Sequence, residues 1–499
     1  MNMNQMIRFL LIGVLSLLLF TSCNHPNNKN VLDPVRIVVE LNIGESQIVQ
    51  IHNKKEVKIT LEEINEIKDS VRNAIRDVRV KIDVDGKKVI LNSGNYNLPV
   101  SVGEIVIDCP VTGNYIINSN RDSWGLCKDA RLRIWRRNTP FIKEGTFVYP
   151  IQQRLFANMT QSGNEPSWLA WGEDFHNTSI YYHNGHDIGG AEGIDEIISA
   201  TDGVVLSSKN KVLNDYSDFP GDVRKDVVYI RDERGWYYRY SHFDSIYENI
   251  TPGRIVKMGD KLGLIGKQGG SGGWVHLHFG ISYKDSSHVN WKTEDAFVYV
   301  WEAYLRQYKP ELVAIARPHQ LLWVNQETTL DGSKSRGIAN EIVTYEWILS
   351  NQTNSSGAIQ KMKYKLPGTY SEILKITDSK GNIDYDFMLI QVLDRADPKP
   401  VPVLQSAYYP TLNIKKNDSV RFFVRAFNTD IDSVSWSFGD GSTPIKVKIE
   451  KAIRQEQTKG RFTETRHAFA EAGHYIVKAE NSNRSGIKST THLHVVVEN

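Results

Sequence analysis

Short apolar runs of alternating pattern, each ended by polar or turn-forming residues, recur along this chain and constrain what it can fold into. VRIVVEL (35–41), SQIVQIH (46–52), VRVKIDV (78–84), KKVIL (87–91), GEIVIDC (103–109) and ARLRIW (130–135) each place apolar side chains on one face of a strand. Asp85-Gly86, between two of these runs, is a strong hairpin signal. A chain of 499 residues exceeds what one hydrophobic core supports, and 40% hydrophobic with 24% charged residues is ordinary globular composition. The expected fold class is therefore mainly β and multidomain. A formal net charge of +2 without a long basic run leaves no electrostatic footprint for nucleic acid, so no nucleic-acid partner is expected.

Two segments break the strand pattern. In TLEEINEIKDSVRNAIRDV (60–78), Leu61, Ile64, Ile67, Val71, Ile75 and Val78 fall at helical spacing behind a Thr60/Glu63 capping box, which predicts a packed helix. DAFVYVWEAYLRQY (295–308) predicts a second, short amphipathic helix. Residues 31–145 thus read as a β-rich domain with one helix and no catalytic cluster.

The first residues are of another kind. MIRFLLIGVLSLLLFTSC (6–23) has Arg8, an apolar stretch from Phe9 to Phe20, then small polar residues ending at Cys23. That stretch is short for a membrane span and reads as an export signal. FTSC resembles a bacterial lipoprotein box, which implies a signal peptide over 1–22, a lipidated Cys23, a polar tether over 23–30 and an exported, membrane-anchored protein of the cell envelope. Cys109 and Cys127 remain. In an oxidising compartment a disulfide between them is the expectation.

Two His-Leu-His tripeptides stand out, His276–His278 in VHLHFG and His492–His494 in THLHVVVEN. Alternation puts both histidines of either pair on one strand face. The second pair has no acidic, His or Cys cluster beside it in sequence and reads as an ordinary strand face. The first has company. Upstream lies YYHNGHDIGGAEG (181–193), with His183 and Asp187 four apart and Gly185 between them. In the middle WYYRYSHFDSI (236–246) ends an aromatic strand at His242, and MGDKLGLIGKQGGSGGW (258–274) is a glycine-dense run leading into the pair. A hydrolytic zinc site takes three His or carboxylate ligands and leaves a fourth position open. His183, Asp187 and one of His276 and His278 can supply three, leaving the other histidine and His242 for proton handling and charge stabilisation.

HNGHDIG, SATDGVV, YSHFD, VKMGDKLGLIGKQGGSGG and VHLHFG, in that order, resemble the LytM-type, M23 family of zinc endopeptidases over about 130 residues. The resemblance implies an antiparallel β domain with a groove over 146–310, one Zn2+, and cleavage of peptidoglycan peptides. It assigns His183, Asp187 and His278 as metal ligands, His276 as general base and His242 as a stabiliser of the developing oxyanion. Tyr240 is left between groove lining and packing, His186 reads as an exposed loop histidine, and the polar insertion 206–226 is expected to border the groove. A non-catalytic scaffold and a zinc peptidase acting on proteins remain as alternatives.

Beyond residue 312 two related copies follow. Trp347 corresponds to Trp436, and Gly368-x-Tyr370 to Gly473-x-Tyr475. WSFGDGS (436–442) and HAFAEAGHY (467–475) resemble PKD modules, which implies two immunoglobulin-like β-sandwiches over 313–396 and 400–499 with a spacer or binding role.

Overall fold

A computed structural model describes residues 35–51, 55–94, 96–113, 124–161, 183–284, 291–450, 460 and 462–499. The expected signal, tether and Cys23 lie outside them. Pro34–Asn499 forms one compact unit. Strands dominate, as the alternating runs require, and among the described residues no helix is long and apolar enough to cross a membrane.

The N-terminal part is two four-stranded antiparallel sheets around one core. Here the helix expected over 60–78 is absent. Lys55–Lys68 is a strand paired with the strand Ile75–Val84, and Asp69 closes the turn between them by accepting the backbone N–H groups of Val71 and Arg72. The reason is a bulge. Val57, Ile59 and Leu61 are buried at strand spacing, then the register shifts between Leu61 and Glu63, so the next inward residue is Ile64. One extra residue in a strand turns a spacing of two into three, which imitates a helical stripe. The disulfide is absent too. Both cysteines are free: Cys109, in the strand Ile105–Thr112, is buried in the core, while Cys127 is exposed on a loop. Burial, aided by the neighbouring Asp108 carboxylate, pushes the Cys109 thiol up to about 12, which leaves it unreactive.

These sheets are tied to the central part by buried charge. Glu294 accepts from Arg36 (2.9 and 2.5 Å), from Arg133 (2.8 Å) and from the Tyr299 hydroxyl (2.7 Å), and Arg133 also grips Asp108 (3.0 and 2.6 Å). Burial opposes ionisation of Glu294, but the two guanidiniums outweigh it and hold the carboxyl down at about 2. The helix predicted near 295–308 is present as Phe297–Tyr308, and its inward residues join the central core.

The central sheet runs in the order Lys211–Val212, Gly203–Ser208, Val227–Arg231, Tyr237–Ser241, His276–Lys284, Trp291–Glu294, with His186–Gly189 also paired to His276–Lys284. The two C-terminal copies are sandwiches joined by a short parallel pairing of Gly368-Thr369 with Lys488-Ser489. Their repeat has a structural basis. Trp347 and Trp436 are both fully buried, and Tyr370 and Tyr475 each donate their hydroxyl to the carbonyl four residues upstream, at 2.8 Å. That bond is the corner device of immunoglobulin-like sandwiches.

Candidate metal centre

The strand His276–Lys284 lies between two others. His278 pairs with Asp187 on one side and with Ser241 on the other. Alternation then sorts the side chains. His276, His278 and Asp187 take one face, while Leu277, Phe279 and His186 turn into the core. His186 is thus no exposed loop histidine: it is fully buried against Phe297, and burial pushes its imidazole down to about 3.

His183, four residues before Asp187, completes a triangle. His183 Nε2 is 2.9 Å from His278 Nδ1 and 3.1 Å from Asp187 Oδ1, and His278 Nδ1 is 3.0 Å from that same oxygen. Among the described residues this His-Asp-His set has one donor atom from each side chain within reach of a single ion. Bonds of about 2.0–2.1 Å from a tetrahedral zinc put neighbouring donors roughly 3.3 Å apart, so the triangle fits such an ion with little movement. A second feature agrees: Asp187 Oδ2 is buried and has no hydrogen-bond partner. Burial opposes ionisation of Asp187, but His183 and His276 beside it drive the carboxyl well below its usual range. Burial likewise pushes His278 down to about 3, which keeps it in the neutral form that ligates metals.

Gly185 makes the approach possible. Its φ is +142°, and a Cβ there would meet His278 Cε1 at 2.6 Å.

Two more histidines sit beside the triangle. His276 Nδ1 lies 3.1 Å from the Trp274 carbonyl, to which it donates, leaving Nε2 as the proton acceptor, 3.5 Å from Asp187 Oδ2. Burial, against the pull of Asp187, pushes His276 down to about 4. The His242 ring stands 4.6 Å from that of His276 and donates from Nδ1 to the Gln268 carbonyl at 2.7 Å.

Residues 181–291 match the model described as Peptidase family M23. The chain carries a peptidase family M23 domain. The chain is also similar to a zinc-containing peptidase from Vibrio cholerae (13% identity, 47% of this chain and 84% of the other, TM-score 0.21) and to Csd3 of Helicobacter pylori (13%, 53% and 81%, TM-score 0.20). It resembles the PKD1 domain of Vibrio anguillarum Epp (23%, 16% and 89%, TM-score 0.14). Collagenase ColA of Clostridium perfringens is 30% identical over 94 residues, 19% of this chain but 8% of that protein's length.

Within the M23 domain, three partners of the site carried no signal in the sequence. The Gln268 and Trp274 carbonyls orient His242 and His276, and they are backbone atoms of the glycine run. Asp226, at the end of the polar insertion, accepts the His242 backbone N–H at 3.2 Å and lies 3.5 Å from Nδ1. Burial raises the Asp226 carboxyl, yet hydrogen bonds from His242 and Arg224 leave it well below the usual range. His242 itself sits at φ +71°, a left-handed conformation uncommon outside glycine. The insertion therefore reaches the site through its last residue. Tyr240 is packing: it is buried, and its hydroxyl accepts the Ala200 N–H at 2.8 Å.

The second His-Leu-His pair is elsewhere. His492 meets Ser371 Oγ at 2.8 Å, and His494 meets His474 at 2.9 Å and Asp384 at 3.3 Å, so both fill the seam between the sandwiches. A cavity of about 720 Å3 is also remote from the triangle, between N-terminal strands and residues such as Tyr237 and Trp291, and among the described residues no histidine lines it.

Proposed function

We propose that this protein is an exported, lipid-anchored zinc endopeptidase that cleaves peptide bonds in the cross-links or stems of peptidoglycan. The convergence of His183, Asp187 and His278 on a space with donor separations of 2.9–3.1 Å carries the reading. Zinc held there would supply a Lewis acid that polarises a carbonyl and brings the pKa of water from 15.7 toward about 7. The remaining chemistry falls to the chain. His276 Nε2, neutral and fixed by its bond to Trp274, takes the proton of the attacking water and returns it to the leaving amine. His242, oriented by Gln268, donates from Nε2 to the oxygen of the scissile carbonyl when its ring is doubly protonated, with the Asp226 carboxylate 3.5 Å from Nδ1 on the other side of the ring. The family match supports a peptidase, and the order of motifs supports a wall substrate.

Purified sacculi incubated with zinc-loaded protein should release peptide fragments identifiable by mass, and His276→Ala should release none. No product from either protein would leave a scaffold role. A second reading, cleavage of proteins, is favoured by the segment shared with a collagenase. Product masses from wall peptides and from denatured collagen offered side by side separate the two.

A further inference from the structure

We infer that Arg425, on the second C-terminal sandwich, is a positioning residue for the glycine loop of the M23 domain, so that this sandwich braces the site wall. The inference rests on the proposed roles of His242 and His276. Both take their orientation from carbonyls of one loop, Gln268 and Trp274. That loop carries few side chains that can anchor it to anything else. Gly269, Gly272 and Gly273 adopt φ of +64°, +62° and +81° and have no side chains, and the Ser271 hydroxyl is spent inside the loop, on the Lys267 carbonyl and the Gly273 N–H. Glycine-rich backbone keeps wide freedom unless other parts of the molecule remove it.

The sandwich supplies the restraint at both ends of the loop. Arg425 Nη2 donates to the Gly273 carbonyl at 2.6 Å and to Gln405 Oε1 at 2.6 Å, while Nη1 donates to the Gly460 carbonyl at 3.1 Å. The guanidinium lies over Phe462, 4.4 Å from its ring centre. Next to Gly273, the buried Trp274 packs on Phe427 with ring centres 5.1 Å apart. At the other end Lys267 bridges Glu192 at 2.6 Å and the Gly460 carbonyl at 3.0 Å. Gly460 thus takes a bond from each tether, and the two tethers bracket Gln268. A planar guanidinium suits this task because it donates in several fixed directions at once.

The test uses the full chain, with hydrogen–deuterium exchange read on metal-free protein and turnover on zinc-loaded protein. In Arg425→Ala, amides of residues 268–275 should exchange about tenfold faster, while those of 237–241 and 473–482 keep the unaltered rate. In the same variant kcat should fall about tenfold with KM and zinc content little changed, as for a displaced catalytic group. Arg425→Lys, which keeps the charge and one donor, should recover part of both. Lys267→Met loosens the other tether from the M23 side, with no substitution in the sandwich, and should speed exchange around Gln268. Unchanged exchange in the loop of Arg425→Ala overturns the brace. Faster exchange spread evenly over 403–498 overturns it as well, since that is loss of the sandwich's own fold. A loosened loop with unchanged kcat overturns the positioning role. Failure of the peptidase reading is a separate result, because it appears in the unaltered protein.

Discussion

Asp187 carries more of the site than any other side chain: it touches His183 and His278 through one oxygen and faces His276 with the other. Asp187→Ala should therefore lose zinc outright, from one equivalent to none by elemental analysis, in a protein that remains folded by circular dichroism. His276→Ala is expected to behave differently. It keeps the metal and loses about 10²–10⁴ in kcat, the usual range for removing a general base. Gly185→Ala tests the packing beneath the ligands. A methyl placed 2.6 Å from His278 Cε1 must move that ring, so zinc affinity should fall although no ligand has changed. The seam histidines are the counterexample, and a His492→Gln/His494→Gln double variant should turn over substrate at the unaltered rate. His183, Asp187, His242, His276 and His278 could all be picked out in the sequence, because their chemistry lies in residue identity and spacing. Asp226 could not, since one aspartate ending a polar stretch looks like any other. The Gln268 and Trp274 carbonyls could not either, since every residue has one.

At the scale of elements, strand alternation does most of the sorting. It put His276 and His278 on one face legibly, and by the same rule it sends His186 inward, but only once the strand is known to begin at His186. The stretch 60–78 misled because a bulge at Leu61–Glu63 gave a strand the spacing of a helix, and register shifts of that kind leave no mark in composition. The pairing of the N-terminal sheets with the M23 domain was equally hidden, since nothing about Arg36, Arg133 or Glu294 in sequence says they meet. Their burial makes a sharp expectation. Glu294→Ala strands the Arg36 guanidinium in the interior while Arg133 keeps Asp108, and removing one partner of a buried ion pair costs about 3–5 kcal/mol. Chemical denaturation should show that loss, while Glu464→Ala, whose pair with Arg421 is partly exposed, should change stability by less than about 1 kcal/mol.

Across the whole molecule, the parts are joined by buried neutral histidines as well as by ion pairs. His319 bonds the Met159 carbonyl at 2.7 Å and accepts the Leu389 N–H at 3.2 Å, and His492 and His494 fill the seam between the sandwiches. Burial pushes each of these three down to about 3 from an ordinary 6.5. The native state thus binds fewer protons than the unfolded chain between those values, so stability is present above pH 6.5 and drains away as pH falls toward 3. The melting temperature should drop steadily over that window, and His492→Gln should reduce the slope. Zinc itself offers the most direct measurement of the central claim. Crystals of the zinc-loaded protein, measured on both sides of the zinc absorption edge, should give one anomalous peak bonded to His183 Nε2, Asp187 Oδ1 and His278 Nδ1. A peak bonded to other side chains, with none among these three, would contradict the account.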